Sequence, residues 1–255
     1  MDRSLRLNWR PNPDSHKGDN GRVLIAAGSR KYHGAAVFSI LGARRFCDLV
    51  YFMPGEMTNK LISAISAIPE CIMVESDPKA DVLLIGPGLG DSDIDVKSLL
   101  RAYQKKVIDG DAFDRLLPRD VVGAVLTPHA GEFREFFGME GTPENVKEMA
   151  ARHKCTILRK GKVDAISDGN LLLLNKTGNA GMTKGGTGDV LAGLLSALLA
   201  KNSNLPAAYH AARINGYAGD MLYRKMGFSF CASDLAEILP YAYKKAVSRP
   251  LLKTP

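Results

Sequence analysis

Short apolar runs alternate with helical stretches along this chain, and the runs end in glycine or a polar residue. Val23-Leu-Ile-Ala-Ala27 stops at Gly28-Ser29, and Val82-Leu-Leu-Ile85 stops at Gly86-Pro-Gly-Leu-Gly90. Val107-Ile108 leads to Asp109, Ala124-Val-Leu126 to Thr127-Pro-His-Ala-Gly131, and Thr156-Ile-Leu158 to Arg159-Lys160-Gly161. Runs that are apolar throughout, rather than at alternate positions, belong to strands covered on both faces, which means a mostly parallel sheet under helices. Leu49–Phe52 and Ile72–Val74 read as further strands. Val163–Ile166 and Leu171–Leu174 flank Ser167-Asp-Gly-Asn170, a hairpin signal. Apolar spacing predicts helices over 34–47, 94–103, 132–137, 143–153, 189–200, 206–226 and 232–247. The expected fold is therefore α/β: a central sheet with helices on both faces. No linker, repeat or low-complexity run divides residues 1–255, so a single domain is expected. Open sheets of this kind bind ligands at the C-terminal ends of their strands. The polar loops after 27, 85, 108, 126 and 158 then converge on one composite site.

Composition limits the function classes. With 45% hydrophobic and 24% charged residues among 255, the chain is globular. Its longest apolar run, Val190 to Ala200, holds Gly193 and Ser196 and is too short to cross a bilayer. No apolar core marks the first twenty residues as a secretory leader. Cys47, Cys71, Cys155 and Cys231 are scattered, which reads as reduced, mostly buried thiols and a cytoplasmic location. A net charge of +7 suits a phosphate-rich ligand, although the basic residues are spread out except in the tail from Lys244-Lys245 to Lys253. A nucleic-acid binder would also use such charge, but no helix-turn-helix or aromatic–basic signature is present. No nucleic-acid or membrane partner is expected.

The stretch from Asn179 to Gly193 carries the most chemistry. Lys184-Gly-Gly-Thr-Gly-Asp189 opens a helix, and small residues there let backbone N–H groups close on a ligand. The free N–H groups of a helix start, with the helix dipole, bind phosphate. Asp189 would repel that anion unless it takes a proton beside it. Together these residues read as an anion cradle with a built-in base, which suits phosphoryl transfer to a hydroxyl. An acid in a first helical turn is also an ordinary capping choice. No Walker A sequence is present, and the loop does not follow a first strand as a dinucleotide fingerprint does.

The other loops are less specific. His129 and Glu132 stand three apart where a helix opens. The imidazole could face a ligand and Glu132 could organise the water shell of a magnesium ion, which keeps most of its waters; an acid at a helix start accounts equally well for Glu132. Gly86-Pro-Gly-Leu-Gly90 allows close backbone approach or simply a tight turn. Asp109-Gly-Asp-Ala112 offers carboxylates to magnesium or a polar ligand, with Asp111 an alternative helix cap. Lys160-Gly161-Lys162 could hold a nucleotide phosphate or ribose, or be an exposed turn. His33, His153 and His210 are isolated, and Ser15-His16-Lys17-Gly18 has no physical reading alone.

Taken together these blocks resemble the ADP/ATP-dependent NAD(P)H-hydrate dehydratases of the ribokinase-like superfamily. The resemblance runs through His16-Lys-Gly18, Gly28-Ser29, Tyr32-x-Gly34-Ala35, Gly86-Pro-Gly88, Thr127-Pro-His-x-Gly-Glu-Phe133, Lys160-Gly161 and the Asn179–Gly193 block. Vitamin-precursor kinases related to this family carry Thr-Pro-Asn where this chain has Thr127-Pro-His129. The resemblance implies a ribokinase-like three-layer sandwich. It also implies that the ring hydroxyl of NADH or NADPH hydrate, in its S epimer, is phosphorylated by ADP or ATP with Mg2+, after which phosphate is eliminated. Asp189 would be the base, and the hydrate would meet Ala35, Gly88, His129 and Asp189. The nucleotide would meet Lys160, Gly161, Lys162, Val163 and Asp164, with Gly186, Thr187 and Gly188 at its phosphates. Two segments depart from the family pattern: Cys47-Asp-Leu-Val50 lacks a frequent Gly-x-Gly, and Asp109-Gly-Asp-Ala112 has an unusual glycine. The expected domain is the dehydratase without an N-terminal epimerase, so a separate epimerase is an expected partner; a homo-oligomer, tetramer or dimer, is also expected. The alternative on the same fold is an ATP-dependent kinase of a hydroxymethylpyrimidine or thiazole alcohol.

Overall fold

The computed structural model of the chain describes residues 5–7 and 10–248. Its elements run β1 (Arg22–Ala27), α1 (His33–Ala43), β2 (Leu49–Pro54), α2 (Asn59–Ser66), β3 (Cys71–Met73), β4 (Val82–Ile85), α3 (Val96–Ala102) and β5 (Lys105–Ile108). They continue with β6 (Val125–Leu126), α4 (Ala130–Phe137), α5 (Pro143–His153), β7 (Thr156–Arg159), β8 (Asp164–Ser167), β9 (Leu172–Asn175), α6 (Thr187–Lys201), α7 (Asn204–Met226) and α8 (Ala232–Ser248). The strands form one sheet in the order β3-β2-β1-β4-β5-β6-β7-β8-β9. From β3 to β7 every pairing is parallel, and β8 and β9 extend that edge antiparallel.

Alternate side chains of each strand feed two cores. Val23, Ile25, Val82 and Leu84 pack with residues of α1, α2, α6, α7 and α8. Leu24, Ala26, Leu83 and Ile85 pack on the other side with residues of α3, α4 and α5. Three layers follow from central strands that are apolar on both faces. Helix α6 is apolar nearly all round and correspondingly buried from Val190 to Leu199. It lies directly against α1: a Cβ on Gly42 would sit 2.3 Å from the Val190 carbonyl oxygen, and one on Gly193 would sit 2.0 Å from that of Ser39. These two glycines let the helix backbones touch, which fixes where the α6 N-terminus emerges at the strand ends.

Several local expectations are corrected. Helix α2 is unforeseen, although Thr58 caps it by accepting from the Leu61 N–H and Leu61 and Ile65 bury one face. Strand β5 begins at Lys105, whose charge hid it: the ammonium reaches the α6 C-terminal end and donates to the carbonyls of Leu199, Ala200 and Asn202. Helix α6 starts two residues before 189 and α7 two before 206, since a proline is tolerated in a first turn. The hairpin forms as expected, shifted by one residue, with Asp168 accepting from the N–H groups of Asn170 and Leu171. Among the four free cysteines only Cys155 is buried; Cys47 and Cys71 are half-buried and Cys231 is exposed. Burial pushes the thiols of Cys47, Cys71 and Cys155 up to about 12, which leaves them inert. No described helix is long and apolar enough to cross a membrane. Of the basic tail, Lys253 lies outside the described residues.

Candidate active site at the C-terminal edge of the sheet

The glycine loop is held before it meets any ligand. Asp220 of α7 accepts from the Gly178 N–H and the Asn179 side chain, and Asn179 in turn accepts from the Gly181 N–H. Lys184 donates to the carbonyls of Phe228 and Phe230. Thr187 donates its hydroxyl to the carbonyls of Met182 and Lys184. Gly186 caps α6 with φ +92°, a left-handed conformation, and a Cβ there would strike the Phe38 ring at 2.4 Å. Gly188 differs. A Cβ on it would meet only the Lys160 Nζ, at 3.6 Å, an ordinary contact. Gly186 is therefore required by the fold, whereas protein packing leaves Gly188 free to be any small residue.

Asp189 occupies the third position of α6, where the helix start offers N–H groups without intrahelical acceptors. Its carboxyl is pushed up to about 7, first by burial and then by Asp109, with Lys160 opposing and Asp111 and Glu132 adding to the effect. Three loops thus bring charge to one place. Asp109, at the end of β5, is 3% exposed and accepts the Thr127 hydroxyl at 2.7 Å and the Lys160 ammonium at 2.8 Å. Lys160 Nζ also lies 4.0 Å from Glu132 Oε2. Burial works against the lysine charge, yet Asp109 and Glu132 hold its pKa above the ordinary value. Burial raises Glu132 as well, with Lys160 pulling it back. An acid poised near neutrality beside an ammonium and a helix N-terminus can accept a proton from a hydroxyl while an anion sits in the cradle.

His129 and Glu132 form a reciprocal cap on α4. The Glu132 N–H donates to His129 Nδ1 at 3.1 Å, and the His129 N–H donates to Glu132 Oε2 at 2.6 Å. An imidazole that accepts at Nδ1 carries its proton on Nε2 when neutral. Its side chain is 61% exposed, and Nε2 lies 3.5 Å from Glu132 Oε1. Ala35 and Gly88 meet across the α1 start: Gly88 has φ +62°, and a Cβ on it would lie 2.8 Å from that of Ala35. The same loop continues to Gly90, which with Tyr32, Lys31, Asp111 and Arg115 lines a cavity of about 970 Å³. Asp111 faces this cavity and accepts from the Gly90 N–H at 2.7 Å.

The Lys160–Asp164 segment divides. Lys160 turns into the charge cluster, while Gly161 and Lys162 are exposed. Asp164 spends its carboxylate on the Gly161 N–H and the Asn175 amide, and burial raises its pKa. It is thus the anchor of the loop, and Val163 only half-buried beside it. The structure brings together Asp189, Gly188, Lys160 and Glu132; Lys162 and Val163 stay apart from the cluster. Asp109 and Thr127, as the grip on Lys160, were missed, although their place at strand ends was a signal. The departure at Gly110 has a local reason, since it takes φ +54°. His16-Lys17-Gly18 belongs to the opposite edge of the sheet, where Asp48 accepts from the N–H groups of Gly18 and Asn20.

Known proteins resemble this chain along most of its length. The family model described as NAD(P)H-hydrate dehydratase matches residues 23–241. An ADP-dependent (S)-NAD(P)H-hydrate dehydratase of Cenarchaeum symbiosum is 39% identical, over 91% of each chain. A bifunctional NAD(P)H-hydrate repair enzyme of Methanocaldococcus jannaschii is also 39% identical, over 91% of this chain, but the chain spans only 50% of that enzyme's length. The crystal structure of the ADP/ATP-dependent NAD(P)H-hydrate dehydratase of Bacillus subtilis, co-crystallised with ATP/Mg2+, superposes with a TM-score of 0.80 at 26% identity, covering 95% of this chain and 96% of that one. The fold is ribokinase-like.

Proposed function

Because this chain belongs to the NAD(P)H-hydrate dehydratase family, we propose that it repairs hydrated nicotinamide cofactors by phosphorylation at Asp189 and the α6 loop, followed by elimination. The enzyme is a nucleotide-dependent lyase. Water added across the dihydronicotinamide ring leaves a hydroxyl, which is a poor leaving group. The hydroxyl oxygen attacks the terminal phosphorus of ADP or ATP, the bond to the bridging oxygen breaks, and the nucleotide leaves one phosphate shorter. Asp189 accepts the hydroxyl proton. The carbon–oxygen bond of the phosphate ester then breaks, phosphate departs with the electron pair, and the neighbouring ring carbon gives up a proton, restoring the dihydropyridine.

The observation that carries this reading is the Asp189 carboxyl, poised near neutrality in the first turn of α6 beside N–H groups that suit a phosphate. Gly186, Thr187 and Gly188 would receive the phosphoryl oxygens. The cavity lined by Tyr32, Gly90 and Asp111 is large enough for the remainder of a dinucleotide. His129 would meet the hydrate with the exposed part of its ring. Magnesium, which keeps most of its waters, would be held as a hydrated ion with Glu132 holding part of its water shell, and it would supply charge screening to the donor phosphates. The substrate is the S epimer, as the name of the Cenarchaeum symbiosum relative has it, and an epimerase activity would supply it from the other epimer. The test is to mix the protein with the hydrate and each nucleotide and to follow the return of dihydronicotinamide absorbance. Formation of a stable phosphate ester from a hydroxymethylpyrimidine or thiazole alcohol, with the hydrate untouched, would replace this function with the kinase alternative.

A further inference from the structure

Lys160 stands where the parts of the site meet. Its backbone leaves β7 alongside His129, with its N–H donating to the Pro128 carbonyl. Its ammonium lies 2.8 Å from Asp109 Oδ1 and 4.0 Å from Glu132 Oε2. It is also 3.6 Å from the place a Cβ on Gly188 would take. An ammonium has three donors, and Asp109 is the only acceptor within hydrogen-bonding distance among the described residues. Two donors are therefore unspent on a side chain that is 20% exposed. They lie beside a helix N-terminus, whose own partial charge is also positive. An anion shared by the ammonium and the α6 N–H groups satisfies all of them at once.

We propose that Lys160 touches the phosphoryl group in transfer, and that Asp109, itself held by Thr127, is the positioning residue that aims the ammonium. The proposal rests on the phosphorylation chemistry above. While the ring oxygen bonds to phosphorus and the bridging oxygen departs with its electron pair, Lys160 keeps its protons and neutralises the non-bridging oxygens. The hydroxyl proton still goes to Asp189. This differs from a lysine that simply grips the part of the nucleotide left behind.

The two roles separate experimentally. In Lys160→Met, kcat should fall about 100-fold or more, the usual scale for losing an electrostatic contact to a transferring group. Affinity for AMP, the part of ADP left behind after transfer, measured by calorimetry, should stay within about threefold. A tenfold or greater loss of that affinity, or unchanged kcat, overturns the assignment. Asp109→Asn keeps the shape and should lower kcat about tenfold, with nucleotide KM changed less than about twofold. With kcat taken at its high-pH plateau, so that the direct effect of Asp109 on the Asp189 pKa drops out, the Asp109→Asn loss should vanish in the Lys160→Met background, because the group it positions is gone. Losses that simply add would overturn the positioning role. If Asp109→Asn does not fold, Thr127→Val removes the hydroxyl that holds Asp109 and should show the same split between kcat and KM; an effect on KM alone overturns the role. Wild-type protein in the same assay is the control for the functional reading: failure of the wild type to act on the hydrate sinks that reading, while activity that survives in Lys160→Met sinks only this inference.

Discussion

Asp189→Asn should separate stability from activity, with opposite signs. The aspartate pKa rises from 3.8 to about 7 in the folded protein, chiefly through burial and then Asp109. Each unit is worth about 1.36 kcal/mol, so full ionisation of Asp189 costs the native state up to about 4 kcal/mol. Partial solvent access and relaxation reduce this to about 2–4 kcal/mol. Between pH 3.8 and about 7 the native state holds a proton that the unfolded chain has released, so this contribution to stability falls as pH rises through that window. Asparagine has no such titration. The variant should match the wild type near pH 4 and exceed it by about 2–4 kcal/mol at pH 8, as read from denaturant midpoints at both pH values. Turnover of the hydrate should meanwhile fall by about 100-fold or more, because the amide cannot take the proton. Wild-type kcat/KM should climb with pH and level off above about 7. A stability difference that does not change between pH 4 and pH 8 would refute the electrostatic argument, and near-normal turnover would remove Asp189 as the base.

Gly188→Ala should leave the fold intact or raise the melting temperature slightly, since alanine is better in a helix by up to about 1 kcal/mol and no protein atom lies in the way. Nucleotide KM should nonetheless rise about tenfold; unchanged KM would put the phosphate elsewhere. His129→Ala should cost about 1 kcal/mol through the lost cap and raise KM for the hydrate far more than for the nucleotide. His129→Asn should restore the stability, as asparagine caps well, but not the hydrate KM; recovery of both would make His129 a cap alone. Chelation of divalent ions should abolish turnover reversibly, with activity returning on addition of Mg2+, and full activity in the chelator would exclude the hydrated ion held at Glu132.

The layered architecture was legible because the strands are apolar on both faces and their C-terminal loops carry the polar residues. Composition hid what depended on long-range contact. Lys105 pairs with Val82 in the sheet while its ammonium caps a helix nearly a hundred positions away, and no local pattern records that. Gly42 and Gly193 look like weak points in apolar helices until the α1–α6 contact explains them. At the site, the anion cradle and Asp189 stood out as residue types out of place in their surroundings. The Asp109–Thr127 grip on Lys160 did not, since its members lie on three separate strand ends that only the sheet brings together. Asp164 illustrates the converse: a charged residue in a plausible binding loop whose carboxylate is spent on the loop itself.

The most direct test of the central claim is a stoichiometry. Purified protein is given the S epimer of NADH hydrate or NADPH hydrate with ADP or ATP and Mg2+, and dihydronicotinamide absorbance and free phosphate are followed together. The account predicts one phosphate released, and one nucleotide shortened, for each cofactor restored, with no recovery when nucleotide is omitted. Recovery without nucleotide, or nucleotide consumption that leaves the hydrate unchanged, would contradict it.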